Sequence, residues 1–181
     1  GTSTFYTQTI SVPEPQVTLV TTLGTVVMEL NPTAAPITVK NFLSYVNQSP
    51  SFYKDTLFHR VISGFMAQGG GFTTGMTQKS GLSPAITLES QNGLLNVRSS
   101  VAMARTTVAD SATSQFFVNL VDNAFLNYAS TNSPGYAVFG KVVSGMDVVN
   151  RIRAIPTSFG GPFPTDVPRT QVVIKSATVL P

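Results

Sequence analysis

The chain has 181 residues, which fits one domain with a sizeable core. Only 10 % of the residues are charged, and the formal net charge is +3 at pH 7, with Lys and Arg scattered singly. Because this pattern forms no basic patch, we do not expect nucleic-acid binding. Residues 1–16 contain no apolar run that could span a membrane, and we expect no membrane insertion. The chain has no cysteine, which excludes disulfides, thiol catalysis and thiolate metal sites.

The N-terminal stretch differs from the rest of the chain. Residues 1–16 are polar, Thr-rich and interrupted by Pro13 and Pro15, and they lack the pattern of a signal peptide. We therefore expect a flexible N-terminal extension over residues 1–16 and a single domain over residues 17–181. If a signal peptide existed, it has been removed.

The first predicted elements of the domain are a β-hairpin and a helix. Residues 17–21 and 25–30 are rich in β-formers and flank a turn in which Gly24 supplies a positive φ. Pro36 suits the first turn of a helix. The apolar stripe of this helix recurs at i, i+3, i+4 and i+7, at Val39, Phe42, Leu43 and Val46.

Residues 58–68 predict two short strands joined by a tight Ser-Gly turn. Residues two apart in a strand share a face, so Arg60 should lie on the face opposite to His59. On the returning strand Met66 and Gln68 should share a face by the same rule. A thioether and an amide could then stand near the guanidinium.

The remaining segments predict a mainly antiparallel all-β domain with two helices. Short strand-like segments at residues 100–104, 115–120, 137–143 and 171–179 are separated by loops rich in Gly, Ser, Thr and Asn. A second helix is predicted from a capping box that starts at Ser144. Periodicity alone does not distinguish a closed barrel from a sandwich.

Several chemistries are disfavoured. His59 is the only histidine and has no acidic cluster beside it, so we expect no metal site and a structural, hydrogen-bonded role for this residue. A Ser-His-Asp hydrolase is disfavoured because no G-x-S-x-G motif occurs. Residues 69–71 are all Gly, but no Gly-Lys-Ser/Thr follows, so they predict a tight loop that lets backbone approach a ligand. We expect no cofactor.

Three strings resemble the cyclophilin family of peptidyl-prolyl isomerases. They are FHRVI at residues 58–62, FM-x-QGG-x-F at residues 65–72 and SQFF at residues 114–117. The resemblance extends from about residue 17 to residue 181. It implies a closed eight-stranded antiparallel β-barrel capped at each end by an α-helix, and the predicted order of elements matches.

The resemblance also assigns roles to individual residues. Arg60, Gln68 and Gln115 match the catalytic group, in which the two amides hold the arginine and the substrate backbone. The proline pocket matches Phe65, Met66, Phe117 and Leu126. Further substrate contacts match Ala104, Arg105, Phe125 and Tyr136.

These residues suit a reaction that needs no nucleophile and no group with a tuned pKa. The barrier to prolyl isomerisation, about 18–20 kcal/mol, comes from amide resonance. Twisting the amide localises a lone pair on the prolyl nitrogen. A guanidinium that donates to this nitrogen only in the twisted state would lower the barrier.

Three positions depart from the eukaryotic cytosolic pattern of the family. Arg105 replaces Asn, Phe125 replaces Trp and Tyr136 replaces His. All three recur in the bacterial branch, and the strings at residues 103–106, 122–126, 135–140 and 176–181 resemble the periplasmic cyclophilin of Gram-negative bacteria. We therefore expect a periplasmic location, with the cytoplasm as the alternative, and weak cyclosporin binding.

The predicted function is isomerisation of X-Pro bonds by a monomer that acts on proline-containing peptides and on unfolded or folding proteins. One alternative is a proline-peptide binding module, or a chaperone, with incidental turnover. A small-molecule-binding barrel is a weaker possibility, which an empty central cavity would favour.

Overall fold

The computed structural model describes residues 12–180. Within them the chain forms two α-helices, α1 (Pro36–Val46) and α2 (Met146–Arg153), and a 3₁₀ helix (Ala124–Leu126). The strands are β1 (Gln16–Thr21), β2 (Gly24–Leu30), β3 (Thr56–Leu57), β4 (Arg60–Ile62), β5 (Met66–Gly69), β6 (Ser100–Met103), β7 (Phe116–Asn119), β8 (Val138–Ser144), β9 (Thr157–Gly160), β10 (Phe163–Pro168) and β11 (Val173–Val179).

Nine strands form one curled antiparallel sheet in the order β3-β11-β1-β2-β8-β6-β7-β5-β4, and β9 pairs with β10 in a separate hairpin. This sheet differs from the closed eight-stranded barrel that the resemblance implied, because it has nine strands and its order ends at β3 and β4. Only two residues separate these two ends along the chain. The chain therefore passes directly from one edge strand to the other, and the backbone N–H of Leu57 on β3 donates to the carbonyl of Phe72, 2.8 Å away and three residues past the end of β5.

The N-terminal hairpin forms as predicted. β1 and β2 pair in continuous register, and Gly24 at the turn has a φ of +130°. The backbone N–H of Leu30 donates to the carbonyl of Pro15, so the chain contacts the sheet just before β1 begins. Residues 1–11, most of the predicted extension, lie outside the described residues.

The interior of the curl is filled by aromatic side chains. Phe42 on α1 is fully buried and packs against Tyr53, Phe116 and Phe139, with ring centroids 5.1–5.6 Å away. Truncating a buried Phe to Ala costs about 3–5 kcal/mol, so this cluster is a major source of stability. The packing disfavours a small-molecule-binding interior.

Helix α1 is capped by a distant carboxylate. Ala35 at the N-cap offers no side-chain acceptor. Instead, the carboxylate of Glu89 accepts hydrogen bonds from the backbone N–H groups of Ile37 and Thr38, at 3.0 and 2.7 Å. A negative charge at this helix end also interacts favourably with the helix dipole.

Helix α2 begins without the predicted capping box. Ser144 is the last residue of β8, and the N-cap is Gly145, which has a φ of +91° and no side chain to cap the helix. A Cβ atom there would collide with the carbonyl oxygen of Thr25, so close packing on β2 requires the glycine. Neither α1 nor α2, the α-helices of residues 12–180, is long and apolar enough to cross a membrane.

Candidate active site

One row of side chains crosses four neighbouring strands. Arg60 on β4 lies opposite Gln68 on β5, Gln68 lies opposite Phe117 on β7, and Phe117 lies opposite Ala102 on β6. Directly opposed residues of antiparallel strands lie on the same face, so the guanidinium, the amide and the ring are neighbours. Met66 lies two residues before Gln68 and shares this face, as predicted.

A groove of about 300 Å³ opens over this row. All the residues that the resemblance assigned to catalysis or substrate binding line the groove, with the exception of Gln115. The lining residues are Arg60, Phe65, Met66, Gln68, Ala104, Arg105, Phe117, Phe125, Leu126 and Tyr136.

One side of the groove is apolar. Met66, Phe117 and Leu126 are buried, and they form a small cluster that is separate from the main core. Phe65 packs against this cluster, and Phe125, a residue that is 71 % exposed, stacks on Phe65 at the rim with ring centroids 5.5 Å apart. This concave apolar surface suits a compact ring and excludes water from it.

The other side of the groove is polar. Gln68 Nε2 donates to Oε1 of Gln115, 2.9 Å away. Gln115 does not line the groove itself and is linked to it by this hydrogen bond to Gln68. A Cβ atom at Gly71 would collide with the Gln115 side chain. The absence of a side chain at this position in the glycine run therefore makes room for Gln115, whereas we expected it to let backbone approach a ligand.

Arg60 is half-buried, and no other described residue forms a hydrogen bond or ion pair with its guanidinium. The expected contact of Gln68 or Gln115 with Arg60 is thus not formed, and Gln68 instead donates to Gln115. The guanidinium donors remain available to a bound molecule.

His59 does not line the groove. It precedes β4 and is 1 % exposed, with its ring against Phe72 and Phe163 at 4.6 and 5.3 Å between centroids. Burial lowers the pKa of His59 to about 4, and the positive charge of Arg60 contributes to the same direction. The imidazole is therefore neutral at pH 7. Within residues 12–180, no group of three or more His, Asp or Glu side chains could hold a metal ion.

A buried asparagine network supports the apolar wall of the groove, which consists of Met66, Phe117 and Leu126 with Phe65 packed against them. Sequence patterns did not predict this network. Asn119 donates to Oδ1 of Asn96 at 3.1 Å, and Asn123 donates to Oδ1 of Asn119 at 2.7 Å. Asn123 also donates to the carbonyl of Phe65 at 3.0 Å, and Asn96 donates to the carbonyl of Leu126 at 3.1 Å. The network thus holds the backbone of two groove residues. Asn96 and Asn123 stand in loop-like sequence and Asn119 stands inside a predicted strand, and no motif in the sequence links the three.

Comparison with known proteins supports the resemblance. Residues 16–179 match the model of the cyclophilin type peptidyl-prolyl cis-trans isomerase family. The chain is 49 % identical to peptidyl-prolyl cis-trans isomerase A of Dickeya dadantii, over 91 % of this chain and 84 % of that protein. It is 50 % identical to peptidyl-prolyl cis-trans isomerase B of Escherichia coli, over 90 % of this chain and 98 % of that protein.

Comparison with solved structures also supports the resemblance to cyclophilins. A crystal structure of a cyclophilin type peptidyl-prolyl cis-trans isomerase from Cryptosporidium parvum superposes with a TM-score of 0.77 and 27 % identity, over 93 % of this chain and 98 % of that one. The same protein in the presence of the dipeptide Ala-Pro superposes with a TM-score of 0.73 and 25 % identity, over 92 % of this chain and 99 % of that one. This chain therefore belongs to the cyclophilin family and is a cyclophilin-type peptidyl-prolyl cis-trans isomerase.

Proposed function

We propose that the groove is the active site of this isomerase and that Arg60 is its catalytic residue. The X-Pro amide resists rotation because resonance makes its C–N bond partly double, with a barrier of about 18–20 kcal/mol. As the bond twists, the nitrogen regains its lone pair. An N–H of Arg60 donates to this nitrogen in the twisted state and not in the planar one, which lowers the barrier.

The unpaired guanidinium is the observation that carries this proposal. Arg60 lines the groove and no described residue neutralises it, so its donors are available to substrate. Arginine stays charged at every relevant pH and offers donors in a rigid fork. If these effects removed about 6 kcal/mol of the barrier, the rate would rise by about four decades.

The apolar wall binds the prolyl ring of the substrate. The prolyl ring lies against Met66, Phe117 and Leu126, with Phe65 at the edge. Ala104 has a small side chain, which allows the substrate backbone to come close. The Cryptosporidium relative was crystallised in the presence of Ala-Pro, and this supports proline-containing peptides and folding proteins as the substrates here.

A proline-peptide binding module, or a chaperone with incidental turnover, is the second candidate. A protein that only binds a prolyl ring would need no more than the apolar wall. The unpaired Arg60 beside the joined amides of Gln68 and Gln115 instead favours catalysis.

We also propose that the protein acts in the periplasm as a monomer and assists protein folding. The support for the periplasm is the resemblance of residues 103–106, 122–126, 135–140 and 176–181 to the periplasmic cyclophilin of Gram-negative bacteria. Fractionation of the source cells decides between the periplasm and the cytoplasm.

The test compares wild type with Arg60→Ala and Arg60→Lys. Exchange between cis and trans X-Pro isomers is measured by NMR line shape on a short peptide. We expect Arg60→Ala to lower turnover about 10²- to 10³-fold, while peptide affinity falls much less. Arg60→Lys should also be poor, because an ammonium lacks the planar fork of a guanidinium.

Arg98→Ala is the matched control, because Arg98 is exposed and does not line the groove. It should turn over peptide at the wild-type rate. Thermal midpoints of all variants separate a catalytic loss from unfolding. Wild-type turnover in folded Arg60→Ala would refute the role of Arg60 and support the binding module.

A further inference from the structure

A second groove continues from the first. It has a volume of about 560 Å³ and is formed largely by residues 105–107 and 132–136. Arg105, Phe125 and Tyr136 line both grooves. A peptide with its proline in the first groove can therefore extend past these three side chains into the second.

Arg105 is held firmly at the junction of the two grooves. Its Nε donates to the carbonyl of Gly135 and its Nη1 to the carbonyl of Thr106, both at 2.8 Å. Its guanidinium lies over the ring of Tyr136, with the carbon Cζ 4.6 Å from the ring centroid. These contacts use two of the five N–H donors and fix the plane of the guanidinium.

The charge at this junction is not balanced within the described part of the chain. Arg60 and Arg105 are the charged residues among those that line the two grooves, and both are cations. The ion pairs of residues 12–180 are Lys141 with Glu29 and Arg151 with Asp147, so no carboxylate lies within 4 Å of either groove arginine. A preorganised guanidinium with free donors is suited to bind a carboxylate.

We propose that Arg105 binds a carboxylate of the substrate, so that the enzyme prefers X-Pro peptides with an acidic group in the residues that flank the proline. This inference rests on the proposed function, because it takes the first groove as the proline site. The carboxylate is that of an Asp or Glu side chain or that of the peptide C-terminus. Because the guanidinium is already oriented, little side-chain entropy is lost on binding.

The experiment uses pairs of X-Pro peptides that differ only by Glu or Gln, at each of the two positions before and after the Ala-Pro unit. A further pair carries a free or an amidated C-terminus. The ratio of kcat/KM for the acidic peptide to that for its amide partner is measured at low and at high salt. We expect a ratio of about three to ten for at least one pair at low salt, falling towards one at high salt.

Three variants test whether Arg105 causes the preference. Arg105→Gln removes the charge, and its ratio should fall to about one. Arg105→Lys keeps a charge without the fork, and its ratio should be intermediate. Arg98→Gln removes a positive charge outside both grooves and should keep the wild-type ratio, which excludes an effect of net charge.

The outcomes separate this inference from the proposed function. Equal turnover of every acidic and amide pair by wild type would overturn the preference and leave the isomerase active site intact. A preference that persists in Arg105→Gln would assign it to another residue and equally overturn the inference. Failure to turn over any of the peptides would overturn the proposed function, and this inference with it.

Discussion

The side chains of Gln68 and Gln115 are joined by a 2.9 Å hydrogen bond although 47 residues separate them along the chain. Gln68 lies directly opposite Arg60 in the sheet. This hydrogen bond uses one N–H donor of Gln68. The side-chain carbonyl oxygen of Gln68 remains available as an acceptor on the strand next to Arg60. We therefore expect Gln115 to be a positioning residue that acts through Gln68.

We predict that Gln68→Leu and Gln115→Leu act as one unit. Each variant should lower kcat/KM about fivefold to tenfold, since a hydrogen bond contributes about 1 kcal/mol or somewhat more near a charge. The double variant should lose much less than the product of the two single losses. Peptide turnover by all four proteins completes the cycle. Fully additive losses would show that the two amides act independently.

Our second prediction is that Phe125, at the rim of the groove, limits the affinity for cyclosporin. Phe125 is 71 % exposed and contacts Phe65, so a larger ring at this position can cover more of a bound molecule. A Trp would also add an N–H donor. Wild type should bind cyclosporin weakly, and Phe125→Trp should tighten binding with peptide turnover nearly unchanged. Calorimetric titration measures both affinities, and equal affinities would contradict the role assigned to Phe125.

The asparagine network should affect activity through the pocket wall. Asn119 is fully buried, and Asn119→Ala removes its hydrogen bonds to Asn96, Ser100 and Asn123. Buried polar groups left without partners cost about 1–3 kcal/mol each, so the free energy of unfolding should fall by several kcal/mol at most. We also expect KM to rise, because Asn123, which donates to the carbonyl of Phe65, loses the Asn119 oxygen that holds its side chain in place.

A core substitution away from the groove is the control for this prediction. Val101 is fully buried in the main core, and Val101→Ala should lower stability without changing KM. The two variants are compared at a temperature at which both are folded. An unchanged KM in Asn119→Ala would mean that the network stabilises the fold without shaping the pocket.

Local patterns predicted much of this fold. The hairpin, α1 and the face shared by Met66 and Gln68 follow from periodicity over a few residues, and the family strings identified the groove residues. Contacts between distant residues were not predictable. The cap of α1 by Glu89 spans 51 residues, and Asn123 reaches the carbonyl of Phe65 across 58. Such pairs exist only once the sheet has curled.

Short or irregular elements were also missed for physical reasons. Strand β3 has two residues, and the β9–β10 hairpin contains Gly and Pro residues that are rare inside strands. The capping box at Ser144 matched a local motif, but packing of Gly145 against β2 decided where α2 begins. Tertiary contacts overrode local preference there.

The last prediction concerns His59 and acid stability. The pKa of His59 is about 4 in the folded protein and about 6.5 in an unfolded chain, mainly because burial disfavours the charged imidazole. Between these values the unfolded chain binds a proton that the folded protein does not. Stability should therefore fall as the pH is lowered from about 6.5 to about 4, by up to about 3 kcal/mol in total, and this contribution is constant below pH 4.

Two measurements check this prediction. His59 is the only histidine of the chain, so its ring-proton signals in an NMR titration belong to it alone. They should not shift between pH 8 and pH 5. Free energies of unfolding are measured from pH 7 to pH 4 for wild type and for His59→Phe, whose ring suits the contacts with Phe72 and Phe163. Carboxylates titrate in both proteins, so the difference between the two curves isolates the histidine. The difference should grow as the pH falls, whereas a titration midpoint near 6.5 would show that the imidazole is hydrated and that burial does not suppress its charge.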